Sequence, residues 1–302
     1  MKVLVAGATG FVGRRLCEVL NQCGHTVAAL SRNGFTAKQR LPLIDQAFSW
    51  QPGSEPAPEE AFNGVDGVIH LLGETVQGRW SAAKKAAIRD SRVIGTRNLV
   101  AGIARLESRP RVLVSASAIG YYGDRGDEEL SEDSAPGDDF LAGVSQEWEK
   151  EATAAERLGV RVALPRVSVV LAAGGGALGA MLLAFKLGAG GPLGSGRQWW
   201  SWIHRDDLAG MLVQLLESDF SGAINAAAPN PVRQKEFARV LGKVLRRPAF
   251  MPAPAFALKI ALGGFSAELL SSKRVLPRAA GRLGFSFRYP RLEGALREAL
   301  GR

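Results

Sequence analysis

The sequence predicts an α/β fold, a doubly wound parallel sheet with a smaller C-terminal substrate lobe. Three observations lead there. Short strand-like runs alternate with longer helical patterns through the first 165 or so residues. The first run, Lys2–Ala6, passes straight into a glycine-rich turn. The alternation then loosens into glycine-rich stretches, Gly174-Gly175-Gly176 and Gly188 to Gly196, before a last lobe begins near Pro231.

Taken in order, the expected strands are Lys2–Ala6, Thr26–Ser31, Gly67–Leu72, Arg111–Ala116 and Arg161–Leu164. Helical patterns lie between them at Val12–Cys23, Ser81–Leu106 and Leu141–Leu158. A further helix is expected after His204-Arg205-Asp206-Asp207, with an aspartate near its start. The boundary is drawn as a cofactor-binding domain over 1–230 and a substrate lobe over 231–302, the latter interleaved with the sheet. The longest apolar stretch, Pro254 to Phe265, is broken by Lys259 and two glycines and is too short to span a bilayer.

The turn reads Gly7-Ala8-Thr9-Gly10-Phe11-Val12-Gly13. Between a strand and a helix, such spacing has a mechanical reason. Gly7 lets the chain turn sharply, Gly10 lets the backbone approach a pyrophosphate, and Gly13 lets helix pack on strand. The free N–H groups and the dipole at the helix start then face the phosphates. This predicts a dinucleotide site. An acid on the ribose 2′-OH is usual about 20 residues further on. Here the second strand ends instead in Ser31-Arg32, a pair suited to a 2′-phosphate, so the cofactor is expected to be NADP(H).

Composition excludes several classes. Hydrophobic content of 46% and charged content of 22% are ordinary for a soluble globular chain. Cys17 and Cys23 make neither a disulfide framework nor a zinc site, and no metal is expected. Both read as buried thiols in a reducing compartment, which with no secretory pattern gives a cytoplasmic expectation. The net charge of +9 is unevenly placed: residues 233–302 carry 15 Lys/Arg against 4 Asp/Glu, and the rest of the chain 23 against 25. A solvated basic surface is the plain explanation. An anionic small-molecule substrate is the functional one, since no nucleic-acid-binding motif accompanies the charge.

The three-glycine turn resembles that of the extended short-chain dehydrogenase/reductase superfamily. Further segments narrow the resemblance: His70-Leu71-Leu72-Gly73-Glu74, Arg89-Asp90-Ser91-Arg92, Ser115-Ala116-Ser117-Ala118-Ile119-Gly120-Tyr121-Tyr122-Gly123 and Gly194-Ser195-Gly196-Arg197-Gln198-Trp199. Trp202 to Asp207, Ala228 to Val232 and Arg274 to Pro277 extend it across the chain. Together they resemble the atypical "epimerase family protein" subgroup, similar to NAD-dependent epimerase/dehydratases. The resemblance implies a Rossmann fold, NADP(H), and possible pairing into a homodimer through the helices at Ser81–Leu106 and Leu141–Leu158. It implies that Leu72, Gly73 and Glu74 pass beside the cofactor ribose, that Ser115 lies beneath the nicotinamide, and that Arg166 meets the cofactor.

In that superfamily a serine, a tyrosine and a lysine four residues after it carry the proton chemistry, the lysine lowering the tyrosine pKa. Ser117 matches the serine. The helix start, Asp139 to Ser145, holds neither tyrosine nor lysine. An unactivated tyrosine, with a pKa of about 10, is a poor base at neutral pH. Losing such help costs about 10²–10⁴-fold in rate. Tyr121 is the replacement that the resemblance leaves, with Glu74 and His204 as weaker candidates. Trp199, Trp200 and Trp202 read first as packing and second as a pocket wall. The function expected is an oxidoreductase or nucleoside-diphosphate-sugar epimerase with a degenerate Tyr-x-x-x-Lys motif. The alternative is an NADP(H)-sensing regulatory or scaffold protein without turnover.

Overall fold

In the computed structural model, which describes residues 1–302, the strands are β1 (Lys2–Ala6), β2 (Thr26–Ser31), β3 (Gln46–Ser49), β4 (Gly67–His70), β5 (Val112–Ser115), β6 (Ser117–Ala118), β7 (Glu129–Leu130), β8 (Arg161–Val167), β9 (Val169–Leu171), β10 (Trp199–Trp200), β11 (Trp202–His204), β12 (Gly222–Ala226), β13 (Val232–Arg233) and β14 (Arg274–Val275). The helices are α1 (Phe11–Gln22), α2 (Gly34–Arg40), α3 (Ala82–Ala104), α4 (Phe140–Thr153), α5 (Gly176–Lys186), α6 (Arg205–Glu217), α7 (Gln234–Leu245), α8 (Ala255–Leu262), α9 (Phe265–Leu270), α10 (Arg278–Leu283) and α11 (Leu292–Ala299).

The main sheet runs β12-β8-β5-β4-β1-β2-β3, with β6 also pairing β8, and every pairing in it is parallel. Alternation along each strand divides the core. Val3 and Val5 join Leu16 and Leu20 of α1 and Met211 and Leu212 of α6 on one face. Leu4 and Ala6 join Leu99 and Ile103 of α3 and Ala152 of α4 on the other. Each such leucine contributes about 1.5–3 kcal/mol by leaving water. The sheet is therefore doubly wound, and the order of winding reverses between β1 and β4. Ligands of such sheets bind at the carboxyl ends of the strands beside that switch.

Three strands of the main sheet, the two-residue β6 together with β3 and β12, lie outside the expected set. Gln46-Ala-Phe-Ser is a short polar edge, and Gly222-Ala-Ile-Asn-Ala is rich in small residues with weak strand preference. Position in the sheet, rather than local preference, makes them strands. Cys17 is buried as expected, but Cys23 is exposed, because it caps the C-terminal end of α1 where the chain leaves the helix.

The C-terminal lobe is laced to the rest by two small ladders, β10–β13 and β7–β14. His204-Arg205-Asp206-Asp207 acts as scaffold. The His204 ring accepts from the Asp206 N–H at 3.2 Å at the start of α6. Asp206 takes a two-pronged contact from Arg15 of α1, at 2.8 and 3.0 Å. Asp207 accepts the backbone N–H groups of Arg288 and Tyr289.

Candidate functional site

The glycine-rich turn adopts the geometry its spacing predicts. Gly7 has φ of +94°, and a Cβ there would stand 3.1 Å from the Leu71 backbone carbon. A Cβ on Gly13 would stand 2.1 Å from the Gly7 carbonyl oxygen, so α1 can approach β1 only with glycine at 13. The α1 N-terminus has no side-chain cap and no acidic residue in its first turn. Its first N–H groups therefore have no intrahelical acceptor and remain free for an anion.

A groove of about 390 Å³ opens over this turn. Gly7, Thr9, Gly10, Ser31, Arg32, Leu72 and Gly73 all line it, so residues from the ends of β1, β2 and β4 meet in one place. No Asp or Glu lines it. Arg40 adds a second guanidinium and Thr36 a hydroxyl, both missed in the sequence because they arrive on the short helix α2. The side chain of Asn33 accepts the Thr36 N–H at 2.9 Å and so fixes the start of that helix. A side chamber of about 210 Å³ continues past Trp50 and Pro52 to Glu74 and Ser91. These features fit a dinucleotide with an additional phosphate. Val12 packs partly buried on the core, and Gly13 is buried behind the turn.

Beyond Gly73 a second cleft of about 450 Å³ runs between α3, α4 and the C-terminal lobe. Phe11, Gly73 and Glu74 lie on its cofactor side, and Trp200, Phe265 and Leu269 on the far side. From α4 it receives Leu141, Val144 and Ser145, none of which titrates near neutral pH. The three tryptophans separate: Trp200 lines the cleft, Trp202 is fully buried, and the ring of Trp199 takes Arg233 at 4.2 Å and Arg274 at 4.7 Å. Glu74 is paired with Lys84 at 2.6 Å, and Glu268 with Lys273 at 2.9 Å.

Of the expected contact residues, Ser115, Ser117 and Arg166 are buried and Tyr121 is half-buried. Consecutive residues of β6 face opposite ways, so Ala118 faces the cleft and Ser117 does not. The Ser117 hydroxyl donates to Glu149 at 2.6 Å. Arg166 donates to both Glu149 oxygens, at 2.8 and 2.9 Å, to the Tyr122 hydroxyl and to the Glu132 carbonyl. Tyr122 in turn donates to Asn225 at 2.6 Å, and burial pushes its pKa up to about 12. Tyr121 lies with its ring 3.5 Å from the Arg166 guanidinium and is absent from the cleft wall. Ser115 is fully buried, its hydroxyl enclosed without a partner. Three of these placements, all but that of Ser115, share one physical reason. Arg166 is a charge in the interior, and Ser117, Tyr121, Tyr122 and Glu149 gather to satisfy it.

Comparison with known proteins agrees with this architecture. The model of the NAD dependent epimerase/dehydratase family matches residues 3–227, and a domain of unknown function, DUF1731, matches residues 253–299. The chain is 44% identical to the Arabidopsis thaliana epimerase family protein SDR39U1 homolog, chloroplastic, over 98% of this chain and 86% of that protein. It is 39% identical to the Bacillus subtilis epimerase family protein YfhF, over 99% and 98%. The crystal structure of the human epimerase family protein SDR39U1 with NADPH superposes with a TM-score of 0.89 at 34% identity, covering all of both chains. No helix of the present chain is long and apolar enough to cross a membrane. A three-glycine turn at the switch point, a groove over it and relatives matched over nearly the whole of this chain place it in the NAD dependent epimerase/dehydratase family, among the epimerase family proteins that carry the DUF1731 domain.

Proposed function

We propose that this protein is an NADP(H)-dependent oxidoreductase that holds its cofactor in the groove and a small-molecule substrate in the adjoining cleft. One observation carries the cofactor choice. The groove at the end of β2 presents Arg32 and Arg40 and no carboxylate. A guanidinium pair favours a 2′-phosphate, and an acid there would repel it. The human relative crystallised with NADPH supports the same choice.

Bound NADPH would supply a hydride. The chain's own part is to seat the pyrophosphate on the free N–H groups of α1, to grip the 2′-phosphate with Arg32 and Arg40, and to close an apolar wall over the reacting face. Sugar-nucleotide epimerisation is the less favoured chemistry. The cleft has one arginine as its only basic residue, too little charge for a diphosphate, and α4 brings no proton-transfer group. That same bare face of α4 favours the second reading, a protein that senses NADP(H) without turnover.

Titration with NADPH and NADH, followed by incubation of the NADPH complex with a carbonyl panel, tests both. NADPH is expected to bind about 100-fold more tightly than NADH. Equal affinities would overturn the cofactor assignment. Loss of NADPH absorbance with any carbonyl compound identifies an enzyme, and tight binding without oxidation across the panel identifies a sensor.

A further inference from the structure

Arg92 is the one basic residue in the cleft wall, and its arrangement is unusual. Arg89-Asp90-Ser91-Arg92 lies on α3 facing the loop after β4. Ser91 accepts the Glu74 N–H at 2.9 Å, and Arg89 pairs with Glu147 of α4 at 2.5 Å. Arg92 uses only Nη1 within the protein, donating to the carbonyls of Glu74 and Ile88, both at 3.0 Å. Its Nε and Nη2 have no protein acceptor, and no carboxylate pairs with it. The two acids that share the cleft, Glu74 and Glu268, are taken by Lys84 and Lys273.

The guanidinium is also held rigidly. It lies 5.2 Å from the centre of the Trp148 ring. It packs so closely on Gly73 that a Cβ there would stand 2.9 Å from Nη2 and 3.0 Å from Cζ. A side chain at 73 would therefore have to displace the Arg92 guanidinium. Burial pushes the Arg92 pKa down to about 10, still well above neutral. A desolvated cation with an open Nε–Nη2 fork is the geometry that takes a carboxylate through two parallel hydrogen bonds. Around it apolar side chains such as Leu141, Val144, Trp200 and Leu269 predominate, with Gln77 and Ser168 among the polar ones.

We propose that Arg92 is the anion anchor of the cleft and selects a small carbonyl compound with an apolar body and a single carboxylate. The assignment rests on the oxidoreductase reading for the carbonyl, while the carboxylate follows from Arg92 itself. A nucleoside diphosphate sugar is disfavoured, since one guanidinium meets its two charges.

The test uses the full chain saturated with NADP⁺ and titrated calorimetrically with 2-oxo-4-phenylbutanoate, its methyl ester and UDP-glucose. The wild-type complex is expected to bind the acid at least about 30-fold more tightly than the ester, and UDP-glucose more weakly than the acid. Arg92→Leu is expected to weaken the acid about 100-fold while moving the ester less than about threefold. Arg92→Lys should fall between. An NADPH affinity in both variants within about twofold of wild type shows that they fold and that Arg92 does not serve the cofactor. Equal binding of acid and ester, failure of both to bind, tighter UDP-glucose, or a joint loss of NADPH binding in Arg92→Lys overturns the proposal. The two readings fail separately. Arg92-dependent acid binding without NADPH oxidation keeps the anchor and removes the reductase, and oxidation indifferent to Arg92 does the reverse.

Discussion

The groove and the cleft adjoin at Gly73, yet they follow opposite logics. In the groove, polar groups face outward and wait for a ligand: free N–H groups at α1, two arginines, and no acid. Along the cleft, the polar groups that the superfamily resemblance assigns to chemistry have turned inward. Ser117, Tyr121 and Arg166 close on Glu149, Tyr122 and Asn225, and the surface left behind is Ala118, Leu141, Val144 and Ser145. The lesson is that cofactor binding and proton transfer are separable properties of this fold. One can be kept intact while side chains far along the chain are drawn into structure.

The comparison breaks first at Glu149. If the buried cluster is structural, Glu149→Ala leaves the Arg166 charge without its partner and should cost about 3–5 kcal/mol in denaturant unfolding. NADPH affinity measured on the folded fraction should barely move. A large drop in affinity with little loss of stability would return the cluster to the active site. Next comes His70, fully buried at the end of β4 beneath both sites, with Nε2 on Thr96 at 2.9 Å. Burial pushes its pKa down to about 4. The folded state therefore resists a proton that the unfolded chain accepts from about pH 6.5 downward. Its contribution is complete above pH 6.5 and is lost as the pH falls toward 4, by about 3 kcal/mol. A stability profile over that window that is no flatter in His70→Asn would refute the assignment.

Smaller effects sharpen the contrast. Arg32→Ala combined with Arg40→Ala should weaken NADPH about 100-fold and NADH less than about twofold, read by fluorescence titration. Equal losses for both cofactors would mean that the arginines serve the pyrophosphate instead. Leu141→Tyr with Ser145→Lys places a tyrosine and a lysine one turn apart on the cleft face of α4. It should raise any carbonyl-dependent NADPH oxidation about tenfold or more, within the range general acid–base catalysis supplies. No gain would show that the cleft lacks the room or the substrate pose for that chemistry.

What could be read in the sequence was whatever is local. The turn from Gly7 to Gly13 carries its own geometry, and so do strands such as Thr26–Ser31, whose predicted and observed limits coincide. The Asp206-Asp207 pair was legible as a helix start because capping acts within a turn. Properties set by long-range packing were not. β12 is a strand because β8 lies beside it, although Gly222-Ala-Ile-Asn-Ala has little strand preference. Nothing local showed that the Ser117 hydroxyl turns to Glu149, because a two-residue strand gives no alternation to count. Arg92 looked like any helical arginine. Only the fold shows that its neighbours' carboxylates are already paired and that Gly73 lies against it.

The ladder between β7 and β14 has a consequence for synthesis. Glu129 pairs with Arg274 and Leu130 with Val275, so a stretch made early is completed only by one made almost last. β1, β2, β4 and the turn over α1 have all been translated within the first quarter of the chain, whereas Phe265 and Leu269 of the cleft wall emerge near its end. A growing chain thus holds the lining residues of the nucleotide groove well before those that complete the cleft wall. Early cofactor capture would stabilise that half while the remainder is still being made, and the order in which the two sites mature is written into the order of the residues.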